Sequence, residues 1–210
     1  MQISKSSIPY ILAMCAVVAA SNFFVQFPIE MMLWSIDLKE ILTWGAFTYP
    51  IAFLITDLTN RKFGPSTARI VVFAGFVLAV MASIWLATPR IAIASGTAFL
   101  VAQLLDVSIF DKLRSSSWWK APLISSIFGS ALDTLMFFGI AFAPAFGFLD
   151  FGGDDGSLGF LVPFLGFGGE VALWTSLAAG DFVVKVLVGL AMLVPYKFVA
   201  ISSPTPSSVN

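Results

Sequence analysis

The chain has 210 residues, 59% of them hydrophobic and only 11% charged, with a mean hydropathy of +0.95, which excludes an ordinary soluble domain. A net charge of −1 leaves no basic face for nucleic acid. A single cysteine, Cys15, and the absence of histidine exclude a disulfide framework, thiolate zinc sites and every histidine-dependent catalytic arrangement.

Crossing a bilayer takes roughly 20 apolar residues, so the expected fold is all-α, a polytopic membrane protein with six transmembrane helices. Residues 1–200 form one six-helix domain and 201–210 a disordered cytoplasmic tail. Helix one spans 8–27, too long for the apolar region of a signal peptide, and reads as uncleaved. Its Ala13, Ala16 and Ala20 make a small-residue stripe suited to close helix packing. Pro28 and the charged segment 30–40 form a loop in which 31–36 is apolar enough to lie in the interface.

Helix two, 41–60, contains Pro50, which removes a backbone hydrogen bond and predicts a kink. Its Tyr49, Phe53, Thr56, Asp57 and Asn60 share one face. An ionised carboxylate facing hydrocarbon costs about 2.5 kcal/mol or more, so Asp57 must meet protein or water. After a turn at Gly64-Pro65, helix three, 70–87, carries no ionisable residue and reads as a packing or lipid-facing element. Thr88-Pro89-Arg90 turns into helix four, 91–110, where Phe99, Gln103, Asp106 and Phe110 line one side. Trp118 and Trp119 anchor the next loop at headgroup level. Helix five, 122–142, presents Ser126, Gly129, Ser130, Asp133 and Phe137 along a third polar stripe. Residues 144–169, rich in Gly and Phe, read as a long external loop, with an inserted segment around 160–167. Helix six, 171–193, places Asp181 four residues before Lys185, the spacing of an internal ion pair.

Eight cations fall on one side of this plan, Lys5, Arg61, Lys62, Arg69, Lys112, Arg114, Lys120 and Lys197, against Lys39 and Arg90 on the other. The bias places both termini in the cytoplasm. At about 1.5 Å per residue, Asp57 lies roughly 20 Å below the outer start of helix two, and Asp106 a similar depth into helix four. Asp133, Asp181 and Lys185 fall near midplane. Four acids against one deep lysine is an unbalanced account, and one shared cavity lined by helices two, four, five and six is the simplest arrangement that satisfies it. Local alternatives stay open: Asp57 and Asn60 as end caps near Arg61, Asp106 paired with Lys112 or Arg114, and Asp181 with Lys185 as a structural pair.

Four ordered motifs carry a family resemblance. They are Tyr-Pro-Ile-Ala-Phe-Leu-Ile-Thr-Asp-Leu-Thr-Asn at 49–60, Ala-Ser-Gly-Thr-Ala-Phe-Leu-Val-Ala-Gln-Leu-Leu-Asp at 94–106, Ser-Ser-Ile-Phe-Gly-Ser-Ala-Leu-Asp-Thr at 125–134 and Gly-Asp-Phe-Val-Val-Lys at 180–185. Together they resemble the bacterial queuosine precursor transporters, the VUT or YhhQ-type family. The resemblance implies an inner-membrane importer of deazaguanine bases, the cyano and aminomethyl precursors of queuosine, with no enzyme activity, cofactor or metal. It also implies likeness to the six-helix substrate-binding subunits of vitamin transporters, so a subunit needing an ATP-hydrolysing partner is the alternative.

Such a base offers a ring N–H and an exocyclic amine side by side, a pair that one carboxylate accepts, and a flat face for aromatic stacking. Asp133 or Asp106 is expected to read that edge. Gln103 and Asn60 bond the carbonyl and ring nitrogen, and Phe53, Phe99 or Phe137 sandwich the ring. Asp57, Asp181 and Lys185 complete the expected site. Proton coupling and facilitated diffusion drawn by metabolic trapping both stay open, as do monomer and homodimer. An intramembrane aspartyl protease is disfavoured, because residue 178 is alanine where its Gly-x-Gly-Asp element needs glycine, and no tyrosine is followed by aspartate.

Overall fold

Proline and glycine punctuate the helices. In the computed structural model, residues 5–33, 36–38, 42–150, 158–166 and 168–201 are described. A short 3-10 turn leads into α1 (Ile8–Phe24). The strands β1 (Met32–Leu33) and β2 (Ile36–Asp37) pair antiparallel, and α2 (Gly45–Thr48) leads into α3 (Pro50–Phe63). Then come α4 (Pro65–Leu86), α5 (Pro89–Leu113) and α6 (Lys120–Phe142), the pair β3 (Leu161–Pro163) and β4 (Glu170–Ala172), and α7 (Leu173–Ile201). Three helices, α3, α4 and α5, begin on proline, which is preset for a first helical turn and has no N–H to leave unpaired there. The tail at 202–210, Lys39, Ile41, Asp154, Asp155 and Phe167 lie outside the described residues.

Five described helices are long and apolar enough to cross a membrane: Lys5–Phe24, Pro65–Leu86, Pro89–Leu113, Lys120–Phe142 and Leu173–Ala200. The chain is an all-α, multi-pass membrane protein. The expected second span is the exception: its α3 has only 14 residues, and its place in the bundle accounts for its polarity. Its α3 packs against α1, α4, α5, α6 and α7, and Pro50, Ala52, Phe53, Ile55, Thr56, Asp57, Thr59 and Asn60 are all buried. Surrounded by protein, it can carry polar groups that a lipid-facing helix could not. Pro50 opens a new helix at the break with α2, while Tyr49 between them keeps helical angles (φ −59°, ψ −41°).

The packing of α1 differs from expectation. It buries Met14, Val18 and Ser21, and Ala16 is exposed. Close approach comes instead from Gly75 of α4, where a Cβ would stand 2.7 Å from the Met14 Cγ, so a large side chain on α1 fills a notch on its neighbour. Helix α4 starts at Pro65, earlier than predicted, and turns Phe73, Val77, Met81, Ile84 and Trp85 outward. Helix α7 runs past the predicted 193 to Ile201, through Pro195, and buries Tyr196 edge-on to Phe110.

Arg90, read from sequence as a loop cation, is 6% exposed. Its Nε donates to Ile140 O (2.8 Å) and its Nη2 to Ala143 O (2.6 Å), while Nη1 pairs with Asp150 at 2.9 Å. It ties down the carbonyls where α6 ends, adding to the bond that Phe146 N–H makes to Ala143 O. Within the expected long loop, Pro144–Leu149 forms a 3-10 turn, and β3 and β4 close on a turn with Leu165 (φ +52°) and Gly166 (φ +86°).

Candidate functional site

A cavity of about 520 Å³ opens at the end of the bundle that carries Asn22 and Thr88. Its walls include Ser95 and Ala98 of α5 and Phe137, Phe138 and Phe142 of α6. Tyr49, Asp133, Asp181 and Lys185 make the polar floor. The volume falls within the roughly 300–1,000 Å³ typical of small-molecule sites.

The floor is one network drawn from three helical segments. Lys185 Nζ lies 2.7 Å from Asp133 Oδ2 and 2.5 Å from Asp181 Oδ2. It also donates to Thr134 Oγ1 (3.3 Å), whose hydroxyl donates to Asp181 Oδ2 (2.7 Å). The Tyr49 hydroxyl donates to Asp133 Oδ1 (3.1 Å), and the lysine ammonium stands 5.2 Å from the Tyr49 ring centroid. Two acids against one lysine leave a formal charge of −1 for a ligand's donors to meet. Both Asp133 oxygens are engaged, whereas Asp181 has a side chain 16% exposed and only its Oδ2 bonded among the described residues.

Beneath the floor lies a second, buried polar layer. Asp57 accepts from the Ser125 and Ser126 hydroxyls at 3.3 and 3.4 Å, and Asp106 abuts it from α5. Thr56 donates to Gln103 Oε1 (2.7 Å), and Asn60 Nδ2 donates to Val107 O (3.0 Å). A fissure of about 10 Å³ on this side is lined by residues including Phe53, Asp57, Ser126, Lys185 and Tyr196, so Lys185 borders both layers.

The residues expected from sequence thus divide. Asp133, Phe137, Asp181 and Lys185 line the cavity, and Phe53 and Asp57 line the fissure. Phe99 stands behind the floor with its ring 6.0 Å from Tyr49, edge to face. Asn60, Gln103 and Asp106, each 0% exposed, line neither space. Of the local alternatives for the acids, the Asp181–Lys185 pair is present, whereas Arg114 pairs with Asp111 and Asp57 bonds to α6. Tyr49 and Thr134 join the floor beyond the expected set. Each had a signal, Tyr49 on the polar face of helix two and Thr134 next to Asp133. Among the described residues, no group of three or more His, Cys, Asp or Glu is placed to hold a metal.

Comparison with known proteins follows the same residues. The family model described as "Putative vitamin uptake transporter" matches residues 43–88 and 80–199, from α2 to the end of α7. A protein of Haemophilus influenzae named "Probable queuosine precursor transporter" is 34% identical over an alignment of 206 residues, covering 85% of this chain and 79% of the relative. The chain belongs to the queuosine precursor transporter family. An Escherichia coli member of that family, "Queuosine precursor transporter", is 40% identical over 147 residues, 60% of this chain and 64% of the relative. A Bacillus subtilis protein named "Probable queuosine precursor transporter" is 28% identical over 128 residues, 48% of this chain and 56% of its own. No solved structure matches the chain. For the queuosine precursor transporter family, this chain places a two-acid, one-lysine floor beneath an aromatic-walled cavity.

Proposed function

We propose that this protein imports queuosine precursors, deazaguanine bases, across a bacterial inner membrane, and that the base binds in the 520 Å³ cavity above Lys185. The observation that carries this is the floor: two carboxylates and one ammonium, net negative, beneath the rings of Phe137, Phe138 and Phe142. A deazaguanine brings paired N–H donors and a flat face, which suit a carboxylate oxygen and stacked aromatics. With both Asp133 oxygens engaged, the open oxygen of Asp181 accepts the donor edge, while Asp133 and Tyr49 fix the lysine beside it. In this reading residues 45–63 count as the sixth crossing, interrupted at Tyr49-Pro50. Broken helices beside a binding site are a recurrent feature of transporters. Both termini face the cytoplasm, so the cavity opens outward.

The test is uptake of labelled base by cells expressing Asp133→Asn at equal level. The substitution keeps volume but removes the charge that holds Lys185, and uptake is expected to fall at least tenfold. Unchanged uptake would remove Asp133 from the site.

A further inference from the structure

The cavity floor leaves the acids beneath it without a role. Asp57 and Asp106 abut one another at 2% and 0% exposure. Two serine hydroxyls donate to Asp57, whereas both oxygens of Asp106 are buried with no well-formed hydrogen bond among the described residues, Asp57 and Ser125 being the polar groups beside them. The charged and titratable groups facing this layer hold other partners, except that Arg61 Nε at the inner end is buried and unbonded among the described residues. Lys185 of α7 is paired with Asp133 and Asp181. At the inner end, Arg61 Nη1 bonds to Arg114 O and Arg114 pairs with Asp111, while Tyr196 of α7 shares the fissure with Asp57. Two ionised carboxylates in contact, both buried and neither in an ion pair among the described residues, are not a tolerable state of a protein interior. A proton on Asp106, donated to Asp57, supplies the missing partner. A space of about 10 Å³ beside Asp57 is too small for a hydrated cation.

Resting on the transport reading above, we propose that Asp57 and Asp106 form the proton-binding site of a proton-coupled importer. One proton arriving from the outside forms an O–H bond on the pair. That bond breaks when the fissure between α3, α6 and α7 opens, and the proton passes to cytoplasmic water. Lys185, which borders both spaces, links base binding in the cavity to the state of the pair.

The full chain reconstituted in liposomes, with a radiolabelled cyano-substituted deazaguanine as probe, tests this. With the outside one pH unit more acidic, the wild type should accumulate the base severalfold above the outside concentration, and a protonophore should abolish the excess. Asp106→Asn, whose amide still donates to Asp57, should keep exchange of base for base within about threefold and lose the accumulation. Wild-type exchange that reaches equal concentrations whatever the pH gradient, or that follows a sodium gradient, overturns the proton site and leaves the transport reading standing. Accumulation retained by Asp106→Asn also overturns it. Failure of the wild type to bind or exchange the base at all overturns both.

Discussion

Lys185 is the residue on which the buried charges balance. It holds Asp133 at 2.7 Å and Asp181 at 2.5 Å, with its own side chain and that of Asp133 each 5% exposed. Removing one partner of such a pair costs about 3–5 kcal/mol, because the other charge is left buried and alone. Lys185→Met should therefore lower the thermal midpoint of the purified protein sharply. Adding Asp133→Asn to that variant should recover part of the loss, and a double mutant no more stable than the single one would contradict the balance. The Asp181–Lys185 pair was legible in the sequence, since spacing within one helix fixes which side chains meet. The Asp133–Lys185 pair was not, because it depends on how α6 lies against α7. For the same reason Gln103 and Asn60 read as ligand-binding groups, yet they bond to Thr56 and to the Val107 carbonyl across the α3–α5 contact.

At the scale of elements, the ends of the helices are tied by arginine to backbone. Arg90, at the start of α5, bonds the carbonyls of Ile140 and Ala143 at the end of α6 and pairs with Asp150. Hydrogen bonds from a charged donor contribute about 1.5–3 kcal/mol each. Arg90→Ala should thus destabilise the fold by about 2–4 kcal/mol, seen as a lowered unfolding temperature, while Arg90→Lys, which cannot make the same fork, should restore only a fraction. An unchanged midpoint in Arg90→Ala would show that water replaces these bonds. Helix positions were largely readable from apolar runs, and Pro65 and Pro89 fell where helices begin. At Tyr49-Pro50 the expected interruption is present as a gap in the hydrogen-bond ladder, with the backbone at Tyr49 still helical. The burial of Arg90 left no local trace, as its partners lie 50 and more residues away.

For the whole molecule, the bundle places its most polar helical stretch, α3, at the centre and surrounds it with strongly apolar helices such as α1, α4 and α7. That order suits a protein that builds its own path for a solute. Purified protein in liposomes should take up base with no partner and no ATP; uptake that appears only with an added ATP-hydrolysing module would mark it as a binding subunit. The overall architecture was legible because hydropathy reports lipid contact directly. The division of the deep polar groups between the cavity floor and a second buried layer was not, since it turns on a few ångströms of depth and on which rings lie between. Equilibrium binding to the purified protein shows whether the charged floor reads the donor edge of a flat base. Deazaguanine should bind at least tenfold more tightly than the analogue lacking the exocyclic amine, and Asp181→Asn should erase most of that difference. Equal affinity for the two bases in the wild type, or a preference untouched by Asp181→Asn, would contradict it.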